Sequence, residues 1–64
     1  MEKQDMVGRL VNMYYFLEKD EKLFKEDDKA LVALRNQKFG VRLAATVLGV
    51  WDDVIEIVEK ERLT

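Results

Sequence analysis

Apolar residues recur at intervals of three and four along most of this chain, and no proline interrupts the pattern anywhere in its 64 residues. That period puts one side of each segment against a core and predicts an all-α domain, ordered nearly end to end. Met6, Leu10, Met13 and Leu17 lie four, three and four residues apart and predict an amphipathic helix over about Glu2 to Glu18. Val7, Val11, Tyr14, Tyr15 and Phe16 widen its apolar side beyond what one small helix buries against one neighbour, so part of this surface is expected to meet another chain. Gly8 costs up to ~1 kcal/mol relative to Ala inside a helix, and its missing side chain is expected to admit a neighbouring helix.

From Glu18 to Asp28 the chain is almost solidly charged, which predicts a solvated connection pinned to the core by Leu23 and Phe24. Asp27 and Asp28 are suited to cap a second helix and line its first turn, over about Asp28 to Lys38, with Ala30, Leu31 and Leu34 continuing the period. Gly40 predicts its stop, with Phe39 packing back on the core. A short third helix is expected over Val41 to Leu48, ended by Gly49, and a fourth over about Asp53 to Arg62. On that last helix Trp51, Val54, Ile55, Val58 and the stem of Arg62 share one face, opposite Asp52, Glu56, Glu59 and Lys60. Asp53 and Glu56 have the spacing of a capping box. The expected architecture is one domain over 1–64, a bundle of about four helices, with the amphipathic helix at 1–18 and a turning, two-helix part within 25–63.

Size and composition narrow the function. A 7.5 kDa chain buries only ~60% of the surface its unfolded form exposes, so self-association as a homodimer is expected to supplement its core. With no Cys there is no disulfide framework, zinc knuckle or thiol chemistry. With no His and no Ser, and only Thr46 and Thr64 as aliphatic hydroxyls, the usual nucleophile and base combinations are missing, and neither an enzyme nor a small-molecule substrate is expected. The acidic run Glu26-Asp27-Asp28 lacks the glycine and alternating oxygens of a calcium loop, so no metal and no cofactor is expected. The amino terminus is polar where a secretion signal needs an apolar core, and the longest apolar run, around Leu43 to Trp51, is far short of the ~20 residues that span a bilayer. A cytoplasmic location without membrane contact is expected. Eleven basic against thirteen acidic residues give a charge of −2, so any nucleic-acid contact must come from a local basic patch.

The strongest local signal is the stretch from Val41 to Val50 followed by Trp51 to Leu63: a small residue at Ala45 lets two helices cross closely, Gly49 supplies the turn, and Leu48, Val50, Ile55 and Val58 fill the corner. This stretch resembles the helix-turn-helix of the sigma-factor region 4 and LuxR type, in which a Leu-Gly-Val turn follows paired small residues and a Val or Ile comes five residues after the turn Val, here Ile55. Lys25 to Arg35 is similar to that family's supporting helix, and the resemblance covers about Lys25 to Leu63. It implies a second helix that enters the major groove with Trp51, Asp52, Asp53, Glu56, Ile57 and Lys60 facing outward. Three carboxylates and one ammonium have the wrong sign for a surface with one negative charge per ~1.7 Å.

Two functions therefore stand against each other. In one, a small regulator of the phage or plasmid kind works by protein contact: Tyr14, Tyr15, Phe16, Trp51, Val54 and Ile57 form the partner or dimer surface, and Asp52, Asp53 and Glu56 steer a basic DNA-binding or transcription protein. Ile57 points about 120° away from the core stripe, which favours an interface for it. In the other, the same fold is a sequence-specific DNA-binding regulator whose phosphate contacts are Arg35, Lys38 and Arg42, grouped around the turn expected at Gly40.

Overall fold

The first helix outruns its apolar period. In the computed structural model, which describes residues 2–62, α1 spans Lys3–Leu23, α2 Asp28–Val47 and α3 Trp51–Arg62. The charged stretch expected to be a connection is helical as far as Leu23, because Glu and Lys are good helix formers and Glu18 and Glu21 continue the face of Tyr14 and Leu17 toward α2. There the Lys38 ammonium lies 3.5 Å from Glu18 Oε2 and 2.8 Å from Glu21 Oε1. Leu23 and Phe24 do not pin the segment, since both are largely exposed. The turn closes where the Phe24 N–H donates to the Asp20 carbonyl, and Asp27 caps α2 as expected, its Oδ1 accepting from the Ala30 N–H at 3.0 Å.

Among the described residues three helices replace the four expected, because α2 runs straight through Gly40. Leu31, Leu34, the Lys38 stem, Val41 and Ala45 keep one unbroken face at intervals of three and four, and a turn at Gly40 would remove Val41 and Ala45 from it. Packing of that face outweighs the ~1 kcal/mol that a helical glycine costs. Phe39 does not fold back and stays exposed. Gly8 has no heavy atom near the place a Cβ would occupy, so no helix approaches closely there.

The turn at Gly49 forms as expected, with φ at +75°. The Val50 N–H donates to the Ala45 carbonyl at 2.8 Å and the Gly49 N–H to the Thr46 carbonyl at 3.0 Å, the paired closure that a left-handed residue permits. Buried Val50 sits over fully buried Ala45, which turns the chain into α3. That helix starts at Trp51, earlier than expected, and the Val54 N–H donates to the Val50 carbonyl. Asp53 thus falls in the first turn rather than at the cap, where its carboxylate favours the exposed amides and pairs with Lys3 at 3.1 Å.

The core is small and rich in valine: Val7, Leu10 and Val11 from α1, Val41 and Ala45 from α2, and Val50, Val54 and Val58 at the corner and along α3. The fold measures 37 × 28 × 16 Å, a slab in which α3 covers one side of the α1–α2 pair. Lys3, Tyr15 and Glu18 of α1 reach α3 on that side, while Met13 and Phe16 lie on the open side. No described helix is long and apolar enough to cross a membrane.

Candidate functional site

The outward side of α3 is acidic. Burying Val54 and Val58 leaves Asp52, Glu56 and Glu59 exposed at helical spacing, joined by Lys60, while Asp53 is half-buried against Lys3. Ile57 stands at the edge of this face, 36% exposed, on a recess shared with Gln4, Gly8 and Glu56. Val54 cannot belong to a partner surface, because it is fully buried. The spacing that put it on the core stripe with Trp51, Ile55 and Val58 describes its position; its assignment to the contact surface does not hold.

Tyr14 and Trp51 are turned inward against each other. Their rings meet edge to face with centroids 6.1 Å apart, the Lys38 ammonium lies 4.8 Å from the Tyr14 ring centre, and the Arg42 guanidinium lies 5.5 Å from that of Trp51. The structure therefore does bring together the basic residues singled out as phosphate contacts, with Lys38 engaged within the fold and Arg35 and Arg42 exposed beside it. Lys38 holds Glu18 and Glu21, Arg35 lies 3.9 Å from Glu21, and Arg42 covers Trp51. Tyr15 is half-buried and donates its hydroxyl proton to Glu61 at 2.6 Å. Of the aromatic run only Phe16 is broadly free, 69% exposed.

Phe16 opens onto a second surface that the residue pattern only hinted at. Between α1 and α2, on the side away from α3, runs a groove of about 640 Å³ with Leu10, Met13, Phe16 and Leu17 on one wall and Gly40 and Ala44 on the other. Asn12 and Gln37 add polar groups, and among the described residues no charged side chain lines it. Its signal in the sequence was the excess width of the α1 apolar side; the α2 wall stayed hidden while Gly40 read as a helix stop. The other element missed was Glu18, a junction that meets both Lys38 and Arg62.

These polar contacts set an alkaline limit. The hydrogen bond to Glu61 is the main reason that the Tyr15 hydroxyl is pushed up from 10.0 to about 12, and partial desolvation and the charge of Glu61 add to it. Burial works against the Lys38 charge, yet the hydrogen bond to Glu21 and the neighbouring Tyr14, Glu18 and Glu21 outweigh it and raise its pKa. In both cases the folded state holds its proton more tightly than the unfolded chain. The stabilisation is complete below the unfolded values near 10 and is lost as pH rises through the folded ones. The melting temperature is expected to be level between about pH 7 and 9 and to fall between about 10 and 12. In Tyr15→Phe that fall becomes shallower, as thermal denaturation across this range will show; an unchanged slope counts against the Tyr15–Glu61 contact.

Among the described residues no group of acidic side chains is close enough to hold a metal ion. No known protein family, curated protein or solved structure matches the chain.

Proposed function

We propose that this chain is a small regulatory protein, of the kind phages and plasmids carry, that acts as a homodimer by binding another protein. The observation that carries the reading is the sign of the exposed α3 surface. A corner resembling a DNA reader turns Asp52, Glu56 and Glu59 outward, while Lys38 is held by two carboxylates, Arg42 lies over Trp51 and Arg35 stays exposed, 3.9 Å from Glu21. Such a face repels phosphate and attracts a basic surface, and a DNA-binding or transcription protein presents one. Carboxylates along the helix supply steering and register, and Ile57 at its edge supplies apolar contact.

The test pairs two measurements. With labelled duplex at ~50 mM salt, where phosphate contacts are strongest, no complex is expected. Capture from the native host is expected to recover a basic protein with the wild type and to lose it with Asp52→Lys combined with Glu56→Lys and Glu59→Lys. A duplex complex that disappears with Arg42→Ala overturns the reading in favour of a DNA-binding regulator. Capture unaffected by the charge reversal overturns it as well.

A further inference from the structure

The α1–α2 groove is an apolar surface that the fold leaves open, and the chain as a whole exposes more area than a compact monomer of its size. A compact monomer of 7.5 kDa exposes about 4,250 Å², whereas this chain exposes 5076 Å², an excess of about 800 Å². That is about what one partner contributes to a standard stable interface. A slab 16 Å thick has too little depth to enclose both faces of the α1–α2 pair, and α3 covers one of them.

We propose that the groove is the seat of a second copy of this chain, related by a two-fold axis, so that α1 and α2 of both copies form a four-helix core with the two α3 helices outside. The proposal deepens the self-association in the function above and rests on it only there. The face is self-complementary in shape. Phe16 and Met13 project from α1, 69% and 53% exposed, while Gly40 and Ala44 leave a channel one helical turn apart on α2, with open space where a Gly40 Cβ would lie. A two-fold axis sets the projections of each copy in the channel of the other, as an isologous contact requires. The lining is free of charge, so pairing it with itself desolvates no unpaired ion, and the amides of Asn12 and Gln37 can pair across the axis. Val47, 85% exposed one turn beyond Ala44, extends the same face. Tyr14, Tyr15, Trp51 and Val54 are occupied within each copy, so of the aromatic residues expected at a contact this interface uses Phe16.

Sedimentation equilibrium of the full chain tests it. The wild type is expected to show the mass of two chains at about 100 µM and to dissociate on dilution. Phe16→Glu and Ala44→Arg each alter an exposed side chain, so the helical circular dichroism stays, and each is expected to weaken the dimer by about thirtyfold or more. Ile57→Glu leaves it intact. Because the chain has no cysteine, copies carrying Phe16→Cys mixed with copies carrying Ala44→Cys are expected to form a disulfide-linked pair under mild oxidation. A single-chain mass at about 100 µM, growth beyond two copies, failure of the mixed copies to cross-link, or a dimer lost with Ile57→Glu but not with Phe16→Glu each overturns the proposal. A monomer that takes up an apolar helical peptide in the groove also overturns it, since another chain is then the occupant. Partner capture by the Phe16→Glu monomer separates this failure from that of the acidic face.

Discussion

Val54→Asp leaves the chain without a cooperative fold, whereas Ile57→Asp, three residues along the same helix, melts close to the wild type. The Val54 side chain is fully enclosed where α3 meets α1 and α2, and among the described residues only it and Val58 are large side chains buried so completely. A carboxylate there has no polar partner in a cluster made of Val, Leu and Ala, and burying it costs several kcal/mol even after it takes up a proton. A core of this size rarely supplies more than about 3–5 kcal/mol of stability, so the substitution consumes all of it. Ile57 is 36% exposed at the edge of the fold, where a carboxylate in its place still reaches water, for an expected loss of about 1 kcal/mol. Thermal denaturation followed by circular dichroism checks both. A cooperative transition in Val54→Asp means that α3 does not pack in the register described.

The contrast between these two positions shows what the residue order could reveal. Helical period alone separates the inward stripe of Trp51, Ile55 and Val58 from the outward Glu56 and Glu59, and it places Val54 with the first group and Ile57 aside from it. Capping chemistry marks the start of α2 at Asp27, and the demand for a positive φ marks the corner at Gly49; both are local requirements of the backbone. Gly40 carried the same local signal and meant something else, because whether a glycine ends a helix or lies within it is decided by what the next turns bury. Val41 and Ala45 are buried in line with Leu34, and that packing is non-local. The same holds for the charged run: Glu18 and Glu21 look like solvent-facing linker until Lys38, far along the chain, is known to stand opposite them. The groove depends on the first of these, since its α2 wall exists only if the helix passes unbroken through Gly40.

Lys38→Glu is the second substitution expected to have a large effect, because it strikes the contact that extends α1 beyond its apolar period. The ammonium meets two carboxylates and the face of Tyr14, and the Lys38, Glu18 and Glu21 side chains are each only about a fifth exposed. A pair in water contributes less than about 1 kcal/mol, and one fully buried and broken costs about 3–5. This site lies between those limits, and reversal adds repulsion among three carboxylates, so a loss of about 2–3 kcal/mol is expected. It should concentrate in the last turns of α1, where Glu18 to Leu23 have few apolar anchors, and hydrogen exchange should report faster opening there than around Val7 to Val11. Lys38→Met removes the charge while keeping the stem over Tyr14, and it should cost less than the reversal. Combining Lys38→Glu with Glu21→Lys re-forms an opposite pair at the same place, so the double variant should recover part of the loss. Recovery absent from that cycle, with α1 opening evenly along its length, means that propensity alone carries the helix past Glu18 and the ion pairs are incidental to it.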